Sequence, residues 1–116
     1  MPANLIADDA THLTPEMLPM VSLTQAELDA IVDKVPGGAS NVQDIYPLTP
    51  LQEGILFHHL LHRDEADPYI LPFLLSFDNE ARLQQFIGAL QTVVDRHDVL
   101  RTAILWENLP VPVQVV

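Results

Sequence analysis

Cysteine is absent from this chain, which excludes disulfides, thiolate zinc sites and a cysteine nucleophile. Positive charge is scarce: 5 Lys and Arg stand against 16 Asp and Glu, for a formal net charge of −11. That balance argues against nucleic acid as a partner, because phosphate binding needs clustered Lys and Arg. It argues equally against a polybasic membrane-surface role. No apolar run approaches the roughly 20 residues of a membrane span. The N-terminus shows no basic stretch followed by an apolar one, the pattern of a secretory signal. The cytoplasm is the compartment to expect.

What the chain does have is the length of one small domain, 116 residues, and enough hydrophobic residues, 48 %, to build a core. Its 10 prolines are about twice the average share and fall at segment boundaries. Charge is uneven. Lys34 is the only basic residue before Arg63, and the same stretch holds half of the acidic residues. The first half therefore reads as an acidic surface or linker, and the second half carries the denser apolar pattern.

Residues 1–20 show no sustained period, and Pro2, Pro15 and Pro19 interrupt them; an extended linker is expected. A short helix is predicted over 24–35. Thr24 and Glu27 have capping-box spacing, Leu28, Ile31, Val32 and Val35 share one face, and Pro36-Gly37-Gly38 ends it. Residues 41–48 read as a connector. A second helix starts at Thr49, with Pro50 at its first position and Gln52 completing a capping box, and runs to about His62. Gly54 inside it suggests close backbone packing against a neighbour, since it costs about 1 kcal/mol relative to Ala.

Residues 69–77 are a strand candidate, demoted to an edge by Pro72. Asp78 and Asn79 cap the clearest helix, in which Leu83, Phe86, Ile87, Leu90, Val93 and Val94 keep a helical period; these are expected to be core. Strands follow at 101–106 and 111–116, joined by a turn at 107–110. The expected order is helix, helix, strand, helix, strand, strand, an α/β or α+β pattern. Three strands and one long helix leave sheet edges and an apolar face uncovered. With the chain stopping inside a strand, the expectation is part of something larger.

Several residues have chemistry to offer. His58 and His62 lie four apart on one helix face, as helical metal ligands do, with Asp64 and Glu65 nearby. The HExxH order is missing, and a packed or hydrogen-bonded helix face explains the same spacing. His97, between Arg96 and Asp98, lies at a helix C-terminus, where the dipole favours a cation. No nucleophile-elbow spacing surrounds Ser22, Ser40 or Ser76, and Gly37-Gly38 lacks the rest of a phosphate loop. Arg96 and Arg101 flank the join between the long helix and the next strand. They either pair with internal acids or line a channel for an anionic group.

Two strings go further. Arg96-His97-Asp98-Val99-Leu100-Arg101-Thr102 resembles the RHExLRT signature of condensation domains from nonribosomal peptide synthetases. Asp98 stands where that family usually has Glu, and Ile104 where it has Phe. The string from Tyr46-Pro47-Leu48-Thr49-Pro50-Leu51-Gln52-Glu53-Gly54 to Phe57-His58 resembles the first core motif, in the PLxPLQEGxLFH form typical of dual epimerisation/condensation domains. His58-His59-Leu60 fits the start of the HH(I/L)xxxxGD string of those domains, while Ala66-Asp67 falls one residue later than its Gly-Asp. Leu13-Thr14-Pro15-Glu16-Met17-Leu18-Pro19 and the helix after it resemble the linker that joins an upstream carrier domain to such a domain.

The resemblance implies the N-terminal portion of a chloramphenicol-acetyltransferase-like lobe, with residues 1–43 as linker and short helix and residues 44–116 as an incomplete condensation domain. In that family two lobes form a tunnel. Carrier domains present thioesters on phosphopantetheine arms from opposite faces, an acceptor amine attacks the donor thioester, and dual domains also epimerise the donor residue. No cofactor bound to this chain itself is implied, nor a metal. The implied partners are upstream and downstream carrier domains and the rest of a synthetase.

By the same resemblance, His58 and His59 assist epimerisation or serve structure. Gln52, Arg96, His97, Asp98, Arg101 and Thr102 hold or line the tunnel region. The catalytic HHxxxDG string is missing, since Arg63-Asp64 follows His62, so no catalytic residue is expected here and the segment is expected to be inactive alone. Two other readings stay open: a non-catalytic element that docks an upstream carrier domain, and an unrelated acidic helical binding module.

Overall fold

In a computed structural model, residues 5–7, 10–61 and 69–116 are described. They fall into two units, Met1–Leu48 with Thr102–Val116, and Thr49–Arg101.

In the first unit, helix α1 (Gln25–Lys34) starts at the expected capping box. The Glu27 amide donates to Thr24 Oγ1 at 3.3 Å, and the Thr24 amide donates to Glu27 Oε2 at 2.8 Å. Together these satisfy two of the donors that a helix start leaves without intrahelical partners. The helix stops at Pro36-Gly37. Gly37 has φ +87°, and a Cβ on it would lie 2.5 Å from Asn41 Nδ2. That amide is not free to move, because it donates to the Pro36 carbonyl at 2.7 Å. Glycine is thus required twice, by backbone angle and by space.

Three antiparallel strands complete this unit in the order β1-β3-β2: β1 (Ile45–Pro47), β2 (Ala103–Leu105) and β3 (Val113–Val115). Ile45 and Ala103 both pair with Val115, and Pro47 and Leu105 both pair with Val113. Val113 and Val115 point inward and Gln114 does not, as the two-residue period of a strand requires. Pro47 sits in an edge strand, the place in a sheet that tolerates a missing amide. The turn between β2 and β3 carries Asn108 at φ 61°, a residue type that accepts the left-handed region.

The core gathers Leu28 and Ile31 from α1, Ile45 from β1 and both β3 valines, together with Ile6, Leu13, Leu18 and Leu23. The segment before α1 has irregular backbone, as its prolines suggest, yet it buries four apolar side chains. A 3-10 turn at Pro15–Met17 shapes it. The Thr14 hydroxyl and the Glu16 amide hold the Glu16 carboxyl below its usual range.

In the second unit, helix α2 (Pro50–Leu61) also begins as expected. The Thr49 amide donates to Gln52 Oε1 at 2.8 Å, and the Gln52 amide to Thr49 Oγ1 at 3.4 Å. Helix α3 (Glu80–Arg96) is capped by Asn79, whose Oδ1 accepts from the Arg82 amide at 3.0 Å. A 3-10 turn at Asp98–Arg101 follows.

Five expectations are corrected here. The element order is α1, β1, α2, α3, β2, β3, so a strand lies between the first two helices. β1 falls in the stretch read as a connector, because three residues are too few to show a period and their partner, β3, lies far along the chain. Residues 69–77 form no strand: Pro72 lacks an amide, no described strand lies alongside, and Leu74 is fully exposed. Arg101 belongs to a 3-10 turn, and β2 starts at Ala103. Finally, nothing among the described residues lies within 4 Å of a Cβ placed on Gly54, and no residue of α3 is buried. Leu83, Phe86, Ile87 and Leu90 on its apolar face are 36–49 % exposed, with the Phe77 ring against that of Phe86 at a centroid distance of 5.2 Å. The expected end of α2 at His62 lies outside the described residues.

Gly37→Ala should lower stability by about 1–2 kcal/mol, combining the positive-φ penalty with a disturbed hydrogen bond. Gly54→Ala should raise helicity and add about 0.5–1 kcal/mol. Urea denaturation followed by circular dichroism checks both. Because the carboxyl of Glu16 is held low in the folded state, its contribution is present above the usual carboxylate range and is lost as pH falls through the lowered value. Thr14→Val should return Glu16 toward the ordinary range, as read by its side-chain carboxyl NMR shift during titration.

Candidate functional site

The motif residues occupy element ends, where backbone groups need partners and side chains are bound to local structure. Gln52 illustrates this: its side-chain oxygen accepts from both the amide and the hydroxyl of Thr49, at 2.8 and 3.0 Å. Its position in the motif is thus also the cap of α2.

His58 and His59 stand in the last turn of α2. Consecutive residues on a helix diverge by about 100°, so the two rings leave the helix in different directions. His58 is exposed and His59 half-buried. The His58 ring lies 5.7 Å from that of Phe57, edge to face, and 6.2 Å from that of Tyr69. These centroid distances are within the range of aromatic contact. Sequence reasoning misses Tyr69. It stands at the start of the segment read as a strand, and no spacing rule links it to His58.

His62, Asp64, Glu65 and Ala66-Asp67, which bear on metal binding and on the dual-domain string, lie outside the described residues. Among the described residues no group of three His, Asp or Glu side chains is placed to hold a metal ion.

At the other motif, α3 ends at Arg96, and His97 follows as its C-cap, its amide donating to the Val94 carbonyl at 3.2 Å. A cation in this last turn is favoured by the helix dipole. The next turn closes through the Leu100 amide, which donates to the His97 carbonyl at 2.9 Å. Within it Arg101 Nη2 donates to Asp98 Oδ1. Arg101 thus pairs with an acid of its own turn. Arg96, His97, Asp98 and Arg101 are exposed, and Thr102 begins the returning stretch of the first unit. The arrangement can position a backbone turn and present cations and an imidazole.

A cavity of about 40 Å³ in the first unit is lined mainly by apolar atoms of Ile31, Leu105, Leu109 and neighbours, with Lys34 and Glu107 also on its wall. It contains none of the motif residues. No helix among the described residues is long and apolar enough to cross a membrane.

The model of the condensation domain family matches residues 42–116. The chain is 57 % identical over 116 residues to malpinin synthetase of Mortierella alpina, a match covering 100 % of this chain and 2 % of that protein. It is 36 % identical over 110 residues to a polypeptide of the linear gramicidin synthase of Brevibacillus parabrevis, covering 95 % of this chain and 1 % of that protein. Against tyrocidine synthase 2 of Brevibacillus parabrevis it is 43 % identical over 75 residues, covering 65 % of this chain and 2 % of that protein. The chain thus spans only about 2 % of the length of such relatives. No solved structure matches it. On the family match and these relatives, the chain belongs to the condensation-domain family of nonribosomal peptide synthetases.

Proposed function

We propose that this chain is the N-terminal part of a condensation domain that joins carrier-bound aminoacyl or peptidyl thioesters through a peptide bond. The observation that carries the reading is the family match over residues 42–116, which contains both motif strings in order. In the reaction the acceptor amine attacks the donor thioester carbonyl. A C–N bond forms, the C–S bond breaks, the donor's phosphopantetheine thiol leaves, and the amine loses a proton. The phosphopantetheine arms belong to the carriers and reach the site as part of the substrates. The partners are therefore the flanking carrier domains and the rest of the synthetase, in the cytoplasm.

The start of the family match at residue 42 supports a boundary close to 43/44, with the preceding residues linking to an upstream carrier. A chloramphenicol-acetyltransferase-like lobe is the fold we assign to the complete domain, of which the three strands and three helices here are a portion. Moving a proton on the amine needs a group within hydrogen-bond reach. The HHxxxDG histidine that the family uses is not in this sequence, so the segment is inactive by itself. Arg96, His97, Asp98, Arg101 and Thr102 hold the turn beside the tunnel. The Asp98–Arg101 pair supports this role, since it fixes the geometry of that turn.

We also assign the domain to the dual epimerisation/condensation type, with His58 and His59 assisting removal and return of the proton at the donor's α-carbon. The support is the Leu51-Gln52-Glu53-Gly54 form of the first motif and the His-His-Leu string after it. In a full-length synthetase carrying this segment, His58→Ala with His59→Ala should cut epimerised product by about 100-fold or more. Condensation of a donor supplied already in the epimerised form should continue. Chiral chromatography of the released peptide reads both. An unchanged stereochemical ratio removes the dual assignment, and absence of any peptide from the unaltered protein removes the condensation reading.

A further inference from the structure

The residues ahead of the family match take part in the core. The match begins at residue 42, yet Leu13, Leu18, Leu28 and Ile31 are each at most 1 % exposed. All four belong to the same cluster as Val113 and Val115 of β3. The irregular part of the segment is pinned from the side as well. Gln25 Nε2, on the first turn of α1, donates to the Leu13 carbonyl at 2.9 Å in a part-buried position and to Asp29 Oδ1 at 2.7 Å. The first of these bonds forms only when the chain folds back on itself. Local turns close the rest, with the Met17 amide donating to the Thr14 carbonyl and the Leu18 amide to the Pro15 carbonyl, both at 3.0 Å.

We propose that residues 10–41 are a rigid mount and not a flexible tether. A free coil of that length would have a root-mean-square reach on the order of 30 Å. Folded onto β3, the segment contributes none of that reach, so a domain fused ahead of it starts its search from a fixed point on the surface of the first unit. A fixed origin raises the effective concentration of that domain at sites within range and removes it from sites beyond. That the preceding domain is a carrier rests on the synthetase reading above; the packing of the mount does not.

The test uses the full synthetase polypeptide. Hydrogen exchange should show amides of α1 and of the 3-10 turn at Pro15–Met17 slowed at least 100-fold relative to an unstructured peptide, with β3 similarly protected. Leu18→Ala should lower protection in β3 at least tenfold, although β3 lies far along the chain. Gln25→Ala, which removes the pin and leaves no core cavity, should speed exchange in residues 13–18 at least tenfold. Rapid exchange through residues 10–23 beside a protected β3, or β3 protection unmoved by Leu18→Ala, overturns the proposal.

Distances between a label at Thr11, exposed at the start of the mount, and one on α1, taken by pulsed electron resonance, should be narrow in the unaltered protein and broaden in the Gln25→Ala variant. A broad distribution in the unaltered protein also overturns it. Failure of the same preparation to make peptide would count against the synthetase reading alone.

Discussion

Everything in the first unit depends on the burial of one strand face. β3 is the only described strand with a partner on each side, and its two inward valines meet side chains from α1, β1 and the segment before α1. Fully burying a valine, leucine or isoleucine stabilises by about 1.5–3 kcal/mol relative to exposure. No local hydrogen bond in the unit approaches that, since a typical one contributes about 0.5–1.5 kcal/mol net. The contacts are also non-local, as Ile45 opposes Val115 across the whole of the second unit's sequence. Closing such a loop costs entropy that grows only slowly with length, so the stretch between them can be long without preventing the sheet from forming.

The second unit works on other terms. Leu56 is its one buried hydrophobic residue among those described. The features that shape it are short-range: the Thr49–Gln52 box, the Asn79 cap, and the Arg82–Asp78 pair at 3.1 Å. A helix cap contributes about 1 kcal/mol, and an exposed ion pair well under that. Helices of this length are marginal on local terms alone. The apolar stripe of α3 and the exposed string at residues 70–75 are each of the kind that proteins bury against a partner or another part of their own chain.

The motif residues sit mostly at the seams of this second unit, and their local roles are plain. Gln52 caps a helix, His97 ends one, and Asp98 with Arg101 braces the turn that leads back toward β2. A motif built from caps and turn braces keeps the direction in which the chain enters and leaves an element. That is the geometric demand on any site assembled at element ends. His58 differs, because its ring meets those of Tyr69 and Phe57.

Short-range features were legible from the residues alone. The boxes at Thr24 with Glu27 and at Thr49 with Gln52, the Asn79 cap, the stop at Gly37 and the turn near Asn108 each depend on groups within about four positions of one another. Residue type and spacing specify such groups. The family was legible for a related reason, since its two motif strings are contiguous. Four things were not legible: β1, the burial of Leu13 and Leu18, the absence of a strand at residues 69–77, and the exposure of α3. A strand exists only where another strand supplies its hydrogen bonds, and an apolar side chain is buried only where something covers it. Both conditions are met by residues far away in the chain, which the local pattern does not name, so tertiary packing settled them.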